Sequence, residues 1–394
     1  MAKQSDYDEL FKYAVNEDEI KAASECVSTG SLKFDIFLNG GFRPGLVRFG
    51  AFSEHGKTAQ CLTWAKEWLK KYKEKGVIIY IDSECRMTYD KVSDSGITRI
   101  PEFKWVDPHI EDFDMQDLDT YGGNFFLVSN NRYNPIADYI TDLCVRNHAL
   151  KPDLRKKLFF AFDSLDHFIL TKDADKNYDQ PEQIGAAQTI SGILARKTAP
   201  YVARHGHHFH VLSQMRANIN TTNPNSPKTK MSGGHALLHA SNLTGEIKKD
   251  YTATLIYENP QGKSKAEKGD VIGRVHTITF HKTFNNKTHH TLTIPVLNGV
   301  GIWLEAEIVD VLMAHGGLIK TGSTLSFPPS LIEEIEEVFG KKKEYKAKFK
   351  GELKTSWRSY RIAIAYLEEN PHLTEWLNAK CRDRYIEEIP CLVD

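Results

Sequence analysis

Gly56-Lys57-Thr58 stands between an apolar run and a segment with helical spacing. A lysine and a hydroxyl residue at that point can grip a nucleotide. Backbone N–H groups at a helix N-terminus bind phosphate oxygens. The lysine reaches the β- and γ-phosphates, and the threonine hydroxyl holds Mg²⁺. This is the phosphate-gripping end of a P-loop. Three further polar groups each close a separate apolar run. Asp163 follows residues 158–162, the position of a Walker-B aspartate that orders Mg²⁺ through water. Glu84 follows the run ending in Asp82, where a carboxylate can orient and deprotonate the water that attacks a γ-phosphate. Gln214 follows residues 209–212 and can sense the γ-phosphate by hydrogen bonding. The four positions together predict ATP and Mg²⁺ as ligands. The G-x-x-x-x-G-K-[ST] pattern wants glycine at 51, where this chain has Ala51, with Gly50 one position early. Either the loop is one residue longer or Ala51 accepts the backbone angles.

These groups need a sheet to hold them. Residues 46–49, 77–81, 125–128, 158–162 and 209–212 read as apolar strands, with helical patterns at 58–75, 135–146 and 185–204. Asn134 is the expected N-cap of the second helix, with Pro135 at its first position. Strands alternating with helices predict an α/β fold with a mostly parallel sheet covered on both faces. Ligands then bind beyond the carboxyl ends of the strands. After Gln214 the pattern changes. Residues 218–230 are polar and contain Pro224 and Pro227, as a loop does, and 251–257, 275–280 and 290–295 alternate like antiparallel strands. Beyond Trp303 the chain becomes helical and charged, with Trp357, Tyr360, Ile362, Ala363, Tyr366 and Leu367 as expected core.

Composition sets the outer bounds. The 394 residues are 41% hydrophobic and 26% charged, which is globular. Fifty-one Lys+Arg against 52 Asp+Glu exclude a globally basic nucleic-acid binder but not a local basic channel. No run of 18 apolar residues exists, and the polar, acidic start does not read as a secretory signal. The six cysteines form no C-x-x-C pair and are expected to be reduced, mostly buried thiols of a cytoplasmic chain.

At this point the chain resembles the RecA recombinase family. Ser28-Thr29-Gly30-Ser31-Leu32-Lys33-Phe34-Asp35 is similar to the family's S-T-G-S-x-x-L-D opening. Gly40-Gly41-Phe42-Arg43-Pro44-Gly45 resembles the glycine-rich turn before the first core strand. Ile81-Asp82-Ser83-Glu84 resembles the strand with the catalytic glutamate, and Phe162-Asp163-Ser164 resembles Walker B. Ser213-Gln214-Met215-Arg216 and Ser232-Gly233-Gly234-His235-Ala236-Leu237 resemble the opening and close of the second DNA-binding loop. The match runs in order over residues 26–302, and the length, short N-terminal arm and degenerate P-loop look most like the phage UvsX-type branch.

The resemblance implies a RecA-type P-loop ATPase core at residues 31–303, an oligomerisation arm at 1–30 and a small helical C-terminal domain at 304–394. It implies a helical filament of this chain on single-stranded DNA, DNA-stimulated ATP hydrolysis, and strand exchange with homologous duplex DNA in recombination and repair. A single-strand-binding protein and a loader are implied as partners, and the host cytoplasm as location if the chain is phage-encoded. Carried over, Glu84, Lys57 and Gln214 are catalytic. Ser53, Glu54, His55, Gly56, Lys57, Thr58, Ala59, Asp163 and Ser164 hold nucleotide, with Thr58 and Asp163 at the metal. Lys282 is expected to reach a neighbour's γ-phosphate. The first DNA loop falls at about 171–183 and the second between Arg216 and Ser232. Arg216, Ile219, Lys228, Lys230, Met231, Gly233 and Gly234 are its expected DNA contacts. Lys228 and Lys230 would meet phosphates. Ile219 or Met231 would wedge between bases, because residues 217–231 contain no aromatic side chain.

Other features keep two readings. Phe11-Lys12-Tyr13-Ala14 fits an F-x-x-A docking pattern or an amphipathic helix on its own core. His205, His207, His208 and His210 suggest a metal or, with no cysteine or carboxylate among them, a helix end followed by a strand. The lysine-rich stretch 341–354 fits a DNA or partner contact or a solvated face. Two functional alternatives share the ATPase core: a DnaB-type replicative helicase, and a non-catalytic paralogue acting as a mediator.

Overall fold

The structure is a computed structural model that describes residues 24–106, 123–174, 176, 186–218, 229–248, 255–259, 264–340 and 353–386. The F-x-x-A segment, Ile219, Lys228 and most of the lysine-rich stretch lie outside the described residues. The chain forms two compact units that are discontinuous in sequence. One comprises Met1–Val27, Phe42–Lys248 and Ile278–Thr291, and the other Ser28–Gly41, Lys249–Thr277 and Leu292–Asp394.

The first unit is α/β. Six parallel strands carry it: β1 (Gly45–Ala51), β2 (Gly76–Asp82), β3 (Phe125–Val128), β4 (Lys157–Asp163), β5 (His208–Ala217) and β7 (Leu243–Lys248). Their order is β7–β1–β5–β4–β2–β3, so β1 and β2 are not neighbours, β2 lies between β4 and β3, and the parallel strands are connected by crossovers. A short β6 (Thr229–Met231) pairs antiparallel with the end of β5. The β strands are apolar on both faces because both are covered, as parallel sheets require. On β2, Val77, Ile79 and Ile81 join Phe160, Phe162, Phe209 and Val211 in a core closed by the helix Tyr133–Ala149 and residues 186–204. The opposite face meets the helix Lys57–Tyr72 through Trp64 and Trp68. His208 and His210 point into that aromatic layer, with His210 4.6 Å from Phe159 and 5.4 Å from Trp64 between ring centroids. Burial pushes His210 down to about 3 and His208 well below the usual histidine range.

Four local expectations are corrected. The second helix starts at Tyr133 after Arg132, not at Pro135. Proline is tolerated in the first turn, where its missing N–H has no intrahelical partner. Asn134 does not cap that helix; its Oδ1 accepts from Thr171 N at 3.0 Å and Thr171 Oγ1 at 3.3 Å. The helix over 186–204 is divided by a π-turn at Leu194–Thr198 just before Pro200. Strand β5 runs on to Ala217 rather than stopping at 212, because pairing with β6 extends it.

The second unit contains the helices Leu32–Phe37, Leu304–Ala314, Pro329–Phe339, Tyr360–Glu368 and Pro371–Tyr385. Its core joins Leu32 to Trp303, Leu312, Ile335, Trp357, Leu367 and Leu377. It also holds a small antiparallel sheet of Ile319–Thr321, Thr324–Ser326 and Ser356–Trp357. Trp357, Ala363, Tyr366 and Leu367 are buried as expected, but Tyr360 and Ile362 are exposed. Helical spacing places 363, 366 and 367 on one face and turns 362 away, while Tyr360 opens the helix and its OH donates to Asp310 Oδ1 at 2.9 Å. The Ser-Thr-Gly-Ser segment has a structural cause here. Buried Asp35 accepts from Ser28 Oγ at 2.6 Å and from Thr29 N and Oγ1 at 2.7 Å, and pairs with Arg382. Ser31 Oγ caps the Leu32–Phe37 helix and donates to buried Glu307 at 2.6 Å.

The expected antiparallel strands are β8 (Leu255–Tyr257), β9 (Val271–Lys282) and β10 (Thr291–Leu297). β8 pairs antiparallel with β9 at Leu255 and Arg274. Among the described residues, no helix is long and apolar enough to cross a membrane.

Candidate nucleotide site and second-loop base

Residues 52–56 join β1 to the helix that begins at Lys57. Ala51 is the last residue of β1, buried and in register with Gln214. The positive backbone angles fall instead on Glu54 (φ 60°) and Gly56 (φ 80°). Alanine at 51 therefore needs no glycine-like conformation, and the loop needs no extra residue. Ser53 and Glu54 are exposed on the turn, and His55 is buried against Phe52 at 5.7 Å. No side chain caps the helix start, so the N–H groups of its first turn, Ala59 included, are free of a cap bond. Lys57 is buried and its Nζ reaches the Ala51 and Phe52 carbonyls at only 3.4 and 3.5 Å. Among the described residues it forms no ion pair.

The carboxyl ends of β2, β4 and β5 meet beside this loop. Asp82 and Asp163 are register partners on β2 and β4. Asp163 Oδ2 accepts from Thr58 Oγ1 at 2.5 Å and from Tyr80 OH at 2.8 Å. Burial holds the Asp163 carboxyl above its usual range, against the pull of those two bonds and of Lys57. Adjacent hydroxyl and carboxylate oxygens are the hard donors Mg²⁺ takes, so the residues present fit that ion. Asp82 does not face the loop; its oxygens accept from Glu84 N and Met87 N at 3.2 and 2.6 Å and shape the turn that carries Glu84.

Glu84 is the hub of a second group. Its Oε1 accepts from Ser164 Oγ at 3.0 Å and Gln214 Nε2 at 3.4 Å, and lies 3.1 Å from His167 Nδ1. Its Oε2 pairs with Arg86 at 3.2 Å. From Gln214 the chain of contacts continues. Gln214 N donates to Asp166 Oδ2 at 2.6 Å, and Asp166 Oδ1 pairs with Arg216 at 3.3 Å. Arg216 stands opposite Lys230 across the β5–β6 pair, and Met215 opposite Met231. Two cations directly opposite on exposed strands repel unless an anion joins them. Met231 packs at the hairpin base, where a Cβ on Gly50 would lie 2.6 Å from Met231 Cγ.

Sequence reasoning missed Arg48. This buried arginine on β1 donates to Ser213 Oγ at 3.2 Å, to the Gly234 carbonyl at 3.3 Å and to the Ser232 carbonyl. Burial lowers it to about 10, with Asp166 opposing that fall. The signal was present: one charged residue inside a continuous apolar strand must have a buried partner. Gly233 beside it has φ 100°, and a Cβ there would lie 2.6 Å from Ser191 Oγ and 2.8 Å from Leu165 Cδ2. Gly234 is exposed at the start of the helix Gly234–Ala240. Lys282 donates to the His239 carbonyl at 2.7 Å, and no contact joins it to the Glu84 group among the described residues. Tyr80, Asp166 and His167 are further site neighbours that motif reading left out.

Fold and geometry describe an α/β protein with a large, mostly parallel mixed sheet, consistent with a RecA-type core and a helical C-terminal region. No family model matches the chain. The chain is similar to Protein RecA of Fusobacterium nucleatum subsp. nucleatum, at 25% identity over 316 residues covering 79% of this chain and 70% of that protein. That likeness supports a relationship to the RecA family.

Proposed function

We propose that this chain is an ATP-dependent recombinase that assembles as a filament on single-stranded DNA and hydrolyses ATP when DNA is bound. The observation that carries the reading is the run of contacts from Glu84 through Gln214 and Asp166 to Arg216, which links a hydrolytic carboxylate to the base of the second loop. In this reading Lys57 and the first-turn N–H groups bind the triphosphate, and Thr58 and Asp163 hold Mg²⁺. When bound, that ion neutralises phosphate charge. Glu84 orients the attacking water and takes its proton, with Ser164 and His167 fixing the carboxylate. Gln214 reports the γ-phosphate to β5 and β6, where Arg216 and Lys230 meet DNA phosphates, together with Lys228, Ile219, Met231, Gly233 and Gly234 of the second loop. Lys282 serves the nucleotide of a neighbouring copy. Strand exchange with homologous duplex and the likeness to the phage UvsX-type branch belong to the same proposal. The test is ATP hydrolysis with and without single-stranded DNA, alongside Glu84→Ala. Stimulation that vanishes in the variant supports the reading, and nucleotide binding without turnover overturns it.

A further inference from the structure

The two oxygens of Glu84 have unequal surroundings. Oε1 has three polar neighbours: Ser164 Oγ donates at 3.0 Å, Gln214 Nε2 donates at 3.4 Å, and His167 Nδ1 lies at 3.1 Å. A carboxylate oxygen offers about two lone-pair sites, so these neighbours fill it. Oε2 has one partner among the described residues, Arg86 Nη1 at 3.2 Å. A water that Glu84 is to deprotonate must therefore meet Oε2, the oxygen on which the guanidinium sits.

The backbone of Arg86 is anchored and its side chain is not. The Asp82 oxygens accept from Glu84 N and Met87 N at 3.2 and 2.6 Å, and the Arg86 carbonyl accepts from Lys91 Nζ at 2.7 Å. The Arg86 side chain is 73% exposed, against 17% for Glu84, and Glu84 is its partner. A bland explanation is an incidental surface ion pair, weak and screened by salt. Weakness rules out a scaffolding role, because the Oε1 contacts and the Asp82 turn already fix Glu84. It does not rule out competition, because a charge-assisted donor outbids a neutral water for the same oxygen. Gln214 can end that competition. It lies on β5, which runs into the β5–β6 pair that carries Arg216 and Lys230, and its 3.4 Å bond to Oε1 is long for a hydrogen bond. Shortening that bond draws Oε1 toward β5 and turns Oε2 off a guanidinium anchored on a separate turn.

We infer that Arg86 is a positioning residue that holds Oε2 of Glu84 away from the attacking water until DNA at the second-loop base draws the carboxylate off it. The inference rests on the proposed reading of Glu84 as base and of the β5–β6 pair as a DNA contact. If DNA opens the pair, removing the pair must favour DNA by the same factor, because coupling is reciprocal. Arg86→Ala is therefore expected to raise DNA-free kcat about threefold, the scale of an exposed ion pair. KM for ATP and DNA-saturated kcat stay unchanged. The variant is also expected to bind single-stranded DNA about threefold more tightly, whereas loss of an incidental surface cation weakens DNA binding.

The test uses the full chain as wild type, Arg86→Ala, Arg86→Gln and Glu84→Ala. Steady-state hydrolysis at saturating ATP gives kcat with and without DNA. Anisotropy of a labelled oligothymidylate, with a non-hydrolysable ATP analogue present, gives DNA affinity. Arg86→Gln keeps the length, loses the charge and is expected to match Arg86→Ala. Raising salt from about 0.05 to 0.3 M is expected to lift the DNA-free kcat of wild type relative to Arg86→Ala, because screening opens the pair. A DNA-free kcat that is unchanged or lowered in Arg86→Ala overturns the inference. So does weakened DNA binding, or an Arg86→Gln variant that stays at the wild-type rate. Turnover that survives Glu84→Ala overturns the reading of the site as well. Turnover that Glu84→Ala abolishes and Arg86→Ala leaves alone overturns this inference only.

Discussion

Gln214 Nε2 donates to Glu84 Oε1 across 3.4 Å, joining the end of β5 to the turn after β2. The bond is long and neutral on one side, and a strand that continues into the second-loop base carries it. Gln214→Ala is expected to lower DNA-stimulated turnover about fivefold, the worth of about one kcal/mol for a hydrogen bond. Glu84→Ala is expected to cost at least about a hundredfold, as loss of a general base does. Steady-state hydrolysis with and without single-stranded DNA separates the two, and equal losses would argue against the relay.

Arg48 is the covert support of the same region. Arg48→Met leaves the buried Ser213 hydroxyl and the part-buried Ser232 and Gly234 carbonyls without their donor. A loss of about 3 kcal/mol in denaturant stability is expected, since unsatisfied buried groups cost more than a bond gains. Arg48→Lys should recover little of it, because an ammonium cannot reproduce the guanidinium fork. Full recovery by lysine would show that charge alone matters there.

Gly233→Ala tests the close of the second loop. The new Cβ meets Ser191 and Leu165 at a positive φ, so steric overlap adds to backbone strain. Gly316→Ala is the matched control, with φ 77° and nothing within 4 Å of a Cβ. The control is expected to lose about 1 kcal/mol and Gly233→Ala distinctly more. Equal melting shifts would remove the packing argument.

Metal dependence should carry the mark of Asp163. Its carboxyl is held above the ordinary range by burial, so it retains a proton to higher pH than an exposed aspartate. Mg²⁺-dependent nucleotide binding is therefore expected to weaken on acidification before ordinary aspartates titrate, near pH 3.9. Asp163→Asn should remove both the metal dependence and that pH slope, and Thr58→Ala should weaken the metal dependence alone. Fluorescent-nucleotide titrations across pH read all three.

Glu307 gives a stability prediction in the second unit. Burial raises its carboxyl to about 7, against an ordinary 4.5. Between those values the folded chain holds a proton that the unfolded chain has released. This group's contribution is therefore full below pH 4.5 and is lost as pH rises toward 7. The slope is about 1.4 kcal/mol per pH unit. Glu307→Gln, which mimics the protonated form, should flatten that slope in denaturant melts between the two values.

Much of this molecule is written locally. Apolar runs such as residues 77–81 and 158–162 could only be strands of a doubly covered sheet, and each ends in a carboxylate at the sheet's carboxyl edge. Gly56-Lys57-Thr58 marked the helix start within one residue, because an αL glycine and an uncapped first turn are local requirements. What tertiary structure alone decided is how distant segments close on one another. The register that sets Ala51 beside Gln214 and Asp82 beside Asp163 comes from strand pairing, to which side-chain periodicity is blind. The length of β5 depends on Thr229–Met231, a segment with no strand signal of its own. Arg48 acquires its partners from residues 165 to 186 positions away. Local propensity and period act over a few residues, whereas burial, pairing and charge convergence are properties of the packed chain.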